Sequence, residues 1–327
     1  MAILSSWDKN MRNVAGAPSK RKNHSNMPYS LRRSGYVFCF FMCIPAIYGI
    51  IRYISINFYS ICLGFFDDIP FQSELTIRYF KQFFESLTQE NSQILIALRN
   101  TLIFFGISLV QQFIGYVVAY FLYKKVVGHK FARFIFFLPC IIPAVVSVNI
   151  FRILAREDGA LWPLFSVIFH DQTPMVNNPL LLIILYVVFF TGIGTSYLIY
   201  LGNMKRIPTE ILESAKLDGA NSWIEFWHFI FPLTWGTFST FLLMSVAGIF
   251  TASGPILFFV DNNLEQAFNL EIQTLGFVIF ANVKENGLAG GSYNYASAIG
   301  LILTFATIPL VAITRFISKK IDNDVSF

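Results

Sequence analysis

The chain has 327 residues, of which 55% are hydrophobic and only 13% charged, with a mean hydropathy of +0.58. A soluble domain carries about 25% charged residues, so this composition excludes an ordinary water-soluble enzyme. The net charge of +5 comes from 24 Lys and Arg against 19 Asp and Glu; the basic residues sit beside apolar runs, which excludes a nucleic-acid-binding face and indicates a membrane protein.

Residues 1–35 form a basic tail too long and too polar to be a signal peptide, whose apolar core lies within its first residues. A charge at mid-bilayer costs at least ~2.5 kcal/mol, so charge-poor windows locate membrane helices. The first runs from Val37 to Ser60, interrupted by Arg52 alone. The second occupies the 24 uncharged residues between Arg99 and Lys124, and the third the 18 between Arg133 and Arg152. A fourth apolar core spans Leu180 to Leu201, a fifth Leu233 to Phe259, and a sixth begins at Tyr295 and ends before Arg315. The expected fold is all-α: a polytopic bundle of six transmembrane helices. Its parts are the tail (1–35), the first helix with an outer loop (36–95), the main transmembrane domain (96–318) and a short tail (319–327).

Lys and Arg gather on the cytoplasmic side of membrane proteins. Seventeen of the 24 lie in the N-terminal tail, in the loops after helices two and four, and at the C-terminus, whereas the opposite loops carry twelve of the nineteen acids. Both termini are therefore expected in the cytoplasm, which requires an even number of spans. Pro139, Pro143, Pro255 and Pro309 interrupt the apolar runs. Proline frees backbone carbonyls that must find other partners, and two readings stand: packing kinks, or helix breaks lining a translocation path.

The loop between helices four and five, Ile207 to Trp227, reads as helix, turn, helix. Pro208 suits a first helical position, and Ile211, Leu212, Ala215 and Leu217 supply an apolar face. Asp218-Gly219 ends the first helix, and Ser222 with Glu225 has the spacing of a capping box for a second, on which Phe226, Trp227 and Ile230 face membrane or protein. Such a knob is a docking surface for a soluble partner or, alternatively, an amphipathic helix in the lipid interface. Glu213-Ser214-Ala215-x3-Gly219, nine residues, then Phe229-x-Phe231-Pro232 resembles the E-A-A-x3-G-x9-I-x-L-P loop of ABC importer permeases. Ser214, Phe229 and Phe231 depart from the pattern but keep size or polarity. Asp218-Gly219-Ala220 matches the D-G-A that accompanies the motif in sugar-importer permeases. Asn100-Thr101-Leu102 resembles the N-T-L that begins the shared domain, Pro139 falls where members carry a proline, and Ser253-Gly254-Pro255 resembles the family's G-G-P. The segment from Ile44 to Asp67 is similar to the first helix of the larger maltose-type permease. The likeness covers about residues 35 to 320.

This resemblance implies a coupling helix, with Glu213, Ser214, Ala215, Asp218, Gly219, Ala220 and Pro232 forming the loop that docks an ATP-binding subunit. It further implies a second, related permease chain, two ATP-binding subunits that hold ATP and Mg, and an extracellular or periplasmic solute-binding protein, all working in a lipid bilayer and without nucleic acid. The chain itself has no G-x-x-x-x-G-K-[ST] loop, no metal-ligand spacing and no catalytic motif. Its four cysteines, Cys39, Cys43, Cys62 and Cys140, lie in or at the ends of apolar runs and read as buried hydrophobes. Within the spans, Gln111, Asn149, Thr191, Tyr197, Thr251 and Ser253 are the polar and aromatic candidates for a substrate path, suited to sugar hydroxyls. The expected function is ATP-driven import of a carbohydrate, an oligosaccharide in the first instance, by alternating access. The alternatives are the same importer class acting on a polyol, glycerol phosphate or another solute, or an ion-coupled secondary transporter. The last needs ionisable groups deep in the spans, where this chain places none.

Overall fold

A computed structural model describes residues 29–321 except 69, 91, 157, 170–177, 192–195 and 285–292. Among the described residues the fold is helical, with one isolated antiparallel bridge between Phe66 and Leu75. The chain divides into two units, Met1–Phe58 and Tyr59–Phe327. The described part of the first is helix α1 (Tyr29–Leu63) up to Phe58; it contains Pro45 and, over its described side chains, exposes Phe40, Phe41, Ile47, Ile51 and Ile54. Apolar side chains on every described side are what a helix surrounded by hydrocarbon requires.

The second unit, which includes the short α2 (Arg78–Thr88), is organised along α3 (Gln93–Tyr123). This helix begins before Asn100, because Ser92 caps it by accepting the Leu95 N–H at 3.1 Å. Its 31 residues extend about 46 Å at 1.5 Å per residue, enough to pass through two separate cores. At its start, Ile94 and Ala97 join α5 (Ala144–Leu154), Trp162 at the start of α6 (Trp162–Phe169), α7 (Pro179–Phe189), α12 (Leu264–Asn269) and α13 (Leu275–Lys284) around Phe151, Tyr186, Phe259 and Phe277. At its end, Tyr116, Ala119, Tyr120 and Leu122 join α8 (Ser196–Met204) and α10 (Ser222–Ala247) around Tyr197, Tyr200, Phe226 and Ile230. Helix α14 (Tyr293–Ile321) packs on α10 and α13, and Trp235 Nε1 of α10 donates to the Ser318 carbonyl at 3.0 Å.

The helix boundaries revise several expectations. The third apolar run is not one continuous helix. It divides into α4 (His129–Ile141) and α5, bent by 105°, because Ile142 and Pro143 adopt extended backbone with ψ of 126° and 138°. Proline disfavours the helical region for the residue before it, so Pro143 makes the break while Pro139 stays inside α4. The fifth run starts earlier than Leu233 and ends at Ala247. Residues 248–255 form a turn, and the rest of the run becomes the short α11 (Ile256–Phe259). The fourth run separates into α7 and α8 on either side of 192–195. By length and apolar composition, four helices of the described residues can cross a membrane, or five if α4 and α5 count as one broken span. The sequence between Asp261 and Tyr293 holds α12 and the apolar, largely buried α13.

Candidate functional site: the loop between α8 and α10

Helix α9 (Thr209–Leu217) follows Pro208, which stands just outside the helix with a ψ of 133°. Its end is closed by two backbone bonds: the Ala220 N–H donates to the Ala215 carbonyl at 3.0 Å and the Gly219 N–H to the Lys216 carbonyl at 3.0 Å. This is the Schellman arrangement. Gly219 has φ +83°, a left-handed conformation that a side chain penalises by about 1–2 kcal/mol. Leu212 and Ala215 are buried and fasten α9 to its base, and Ile211 is half-buried. Leu217 does not belong to that face. It is 89% exposed, as is Trp223 at 70%, while Glu213, Lys216, Asp218 and Gly219 also face outward. Ser214, Ala220 and Pro232 are half-buried.

The cap of α10 differs from the expected box. Asn221 accepts the N–H groups of Trp223 at 3.1 Å and Ile224 at 2.9 Å, which leaves Ser222 inside the helix. The Glu225 carboxylate is committed elsewhere: with 2% of its side chain exposed, it accepts from Lys124 Nζ through both oxygens, at 2.8 and 2.7 Å. The signal for this pair was present in the sequence as a lone acid among aromatics and a lysine closing α3, but only folding brings residues 101 apart together. Tyr120 supports it by donating its hydroxyl to the Ser222 carbonyl at 2.9 Å, with its ring 5.0 Å from that of Phe226.

Residues Glu225–Ile230 form a π turn, in which the Phe231 N–H reaches back to the Phe226 carbonyl. Pro232 explains its position. A proline has no N–H for the carbonyl four residues earlier and its ring crowds that turn, and the wider π turn accommodates the missing bond. The turn directs Glu225, Phe226 and Ile230 inward. Trp227 stacks on Phe113 at 6.3 Å, so these side chains face protein. The last residue of the motif thus shapes the base on which α9 stands.

The polar residues of the spans fall in four places. Gln111 Nε2 and Thr191 Oγ1 both donate to the Val187 carbonyl, at 2.7 and 2.6 Å. Gln111 also borders an apolar cavity of about 400 Å³ lined by Leu102, Gly106, Ile107, Val110 and Val188. Asn149 is exposed on α5, and Thr251 and Ser253 are exposed in the turn after α10. Tyr197 is fully buried and donates to the Arg133 carbonyl at 3.0 Å. Among the described residues, Gln111 alone of the six borders the 400 Å³ cavity.

Asn100 and Thr101, which resemble a family signature, have a clear physical task. Asn100, fully buried, donates to the carbonyls of Glu271 at 2.8 Å and Gln273 at 3.0 Å. Thr101 Oγ1 accepts the Leu275 N–H at 2.9 Å. Together they fix the approach to α13. Gly276 then lies so close to the 251–252 backbone that a Cβ there would stand 2.7 Å from the Thr251 carbonyl oxygen. Thr274 Oγ1 donates to the Ala252 carbonyl at 3.0 Å, so the turn carrying Thr251 and Ser253 is held from behind by residues the sequence did not single out. Among the described residues, no three His, Cys, Asp or Glu side chains come together as metal ligands would.

The family described as "Binding-protein-dependent transport system inner membrane component" matches residues 111–327, a stretch that contains the α9 loop, its π-turn base and α14. The chain belongs to this family. The permease is 26% identical over 292 residues to the probable ABC transporter permease protein YurN of Bacillus subtilis, covering 87% of this chain and 93% of YurN. It is 25% identical over 212 residues to the multiple sugar-binding transport system permease protein MsmF of Streptococcus mutans, covering 64% and 70% of the two chains. Its fold is similar to a bacterial ABC transporter that imports the acidic polysaccharide alginate, with a TM-score of 0.69 at 20% identity, covering 90% of this chain and 98% of the other. A second crystal structure, of an alginate ABC transporter in complex with an alginate pentasaccharide-bound periplasmic protein, gives 0.66 at 19% identity over 90% and 97%. The relatives are translocation components rather than enzymes, and this permease is a multi-pass membrane protein of the same kind.

Proposed function

We propose that this permease is one of two related membrane subunits of an ATP-driven importer, and that it carries an oligosaccharide across the bacterial cytoplasmic membrane. It crosses the bilayer six times with both termini in the cytoplasm, the α4–α5 and α7–α8 pairs each serving as a broken span. Two separate ATP-binding subunits hold ATP and Mg and supply the energy, since this chain has no phosphate loop. A binding protein outside the membrane delivers the cargo. The carbohydrate assignment is supported by relatives named for sugar and alginate transport and by their match over most of the chain.

The observation that carries the reading is the α9 loop. A short helix presents Glu213, Leu217 and Asp218 outward, while Leu212 and Ala215 and the closed turn at Gly219 and Ala220 hold it to the π-turn base before Pro232. A rigid, partly apolar protrusion on a long helix turns closure of the motor subunits into rigid-body movement of the bundle, which is the mechanical requirement of alternating access. Leu217 and Trp223 bury apolar surface on a partner, Glu213 and Asp218 meet basic side chains, and Ser214 lines the edge.

Gly219→Val in the reconstituted importer tests this. Transport is expected to fall at least about ten-fold, with nucleotide hydrolysis no longer responding to loaded binding protein. Unchanged transport together with unchanged subunit assembly overturns the docking assignment. A purified cognate binding protein that binds glycerol phosphate or a polyol and ignores oligosaccharides overturns the cargo assignment and leaves the docking assignment standing.

A further inference from the structure

Beside the α9 loop lies a cavity of about 700 Å³ between the end of α3, the start of α4 and the α8–α9 connection. Its lining is strongly basic: Lys124, Lys125, Arg133, Lys205 and Lys216, with His129, against the carboxylates of Glu213 and Glu225. Glu225 is already neutralised by Lys124, and Glu213 is an exposed side chain. Among the described residues, Lys125, Arg133, Lys205 and Lys216 have no ion-pair partner. Arg133 Nε is shut off from solvent and has no hydrogen-bond acceptor. Arg133 is otherwise half-buried and lines the cavity, and an enclosed polar donor without a partner is costly.

The surroundings select the anion's carrier. Immediately beside Arg133, α4 exposes Phe131, Phe134, Ile135 and Leu138, an apolar surface of the kind that faces acyl chains. A phosphate joined to two acyl chains satisfies both halves at once, whereas a free anion uses only the basic half and leaves most of the cavity to water. Basic pockets between helices on the cytoplasmic side of a membrane suit anionic headgroups. We propose that this cavity binds the phosphate of an anionic phospholipid, with Arg133 and Lys205 as its principal charged contacts and the acyl chains lying on the exposed face of α4. The bound lipid would stand behind α9 and brace the docking loop. The inference rests on the proposed function only for the orientation that puts this end of the bundle at the cytoplasmic leaflet.

The test uses the intact importer in nanodiscs of phosphatidylcholine containing phosphatidylglycerol, with retained lipid counted by native mass spectrometry. The wild-type complex is expected to keep phosphatidylglycerol through detergent transfer. Arg133→Gln with Lys205→Gln is expected to lower that retention roughly ten-fold or more, Arg133→Lys is expected to keep most of it, and the exposed Lys205→Gln alone, which leaves the buried packing untouched, is expected to lower it roughly five-fold. Equal retention by wild type and by both Gln variants overturns the proposal. Displacement of the lipid by millimolar inorganic phosphate assigns the cavity to a soluble anion and overturns the lipid assignment. Loss of the ATP-binding subunits from the Lys205→Gln complex with lipid retention unchanged makes the cavity part of the docking surface and overturns it too. Retention that depends on these residues in a complex whose transport is indifferent to Gly219→Val supports the lipid site while the docking assignment fails, so the two readings fail separately.

Discussion

The two ends of α3 are fastened by different chemistry. At its start, Asn100 and Thr101 hold the 271–275 segment through neutral side chain to backbone hydrogen bonds, two of them buried and one partly so. At its end, a nearly buried ion pair between Lys124 and Glu225 and a cluster of rings around Tyr116 hold the base of the docking loop. Neutral bonds to carbonyls tolerate little displacement and fix one backbone path. An ion pair with a flexible lysine stem and edge-to-face ring contacts keeps its attraction over a wider range of positions. Both hold their partners to α3, the first by fixing one backbone path and the second through charge and ring packing.

Breaking the charged end gives the largest expected effect. Lys124→Ala leaves the Glu225 carboxylate buried without its cation and is expected to cost about 3–5 kcal/mol, read as a large fall in unfolding temperature and in yield of folded protein. Glu225→Gln is expected to cost less, because Lys124 is still partly exposed and its amine can turn to water. Equal losses for the two variants would remove the argument that the buried carboxylate is the group needing a partner. At the other end, Asn100→Ala removes the donor to two carbonyls and is expected to cost about 1–3 kcal/mol, with faster amide exchange over 271–275. Protection of those amides left unchanged would mean that the frame does not depend on Asn100.

A smaller effect is expected from Tyr116→Phe. Its hydroxyl lies 2.6 Å from Thr234 Oγ1, so the variant is expected to lose about 1 kcal/mol while the ring contacts persist; a loss several times larger would show that the hydroxyl, not the ring, orders the cluster. The smallest effect concerns Arg152 and Asp261, which join α5 to the turn after α11 at 2.5 and 3.0 Å. The Arg152 guanidinium, by hydrogen bonding first and by charge second, holds the Asp261 carboxyl below its usual range. A carboxyl whose folded pKa is lowered adds stability above its unfolded pKa and loses it as pH falls through the folded value. Because Asp261 is mostly exposed, screening limits the contribution to below about 1 kcal/mol. The expected outcome is a slightly steeper loss of stability below pH 4 in the wild type than in Asp261→Asn.

Apolar periodicity and charge placed the long helices because hydrocarbon admits few ionised groups, a rule that acts on each segment alone. The turn at Gly219 was legible for the same local reason: glycine beside aspartate, after a helical run, accepts the positive φ of +83°. Leu217 was misplaced because a nine-residue helix allows more than one apolar face, and contact with α10, not periodicity, selects which is covered. The capping role passed from Ser222 to Asn221 because Glu225 was drawn to Lys124, a partner 101 residues away. The break at Pro143 needed the fold as well, since Pro139 and Pro309 have the same chemistry yet remain inside helices.

The sequence by itself determined an all-helical membrane chain, the α9 loop and the family to which it belongs, because each follows from short-range rules of solvation and backbone geometry. Only the tertiary structure decided which polar residues anchor the backbone, which ion pair is buried and which basic residues share a cavity. Those outcomes depend on groups far apart in the chain, brought together when apolar faces close and leave each enclosed polar atom in need of a partner.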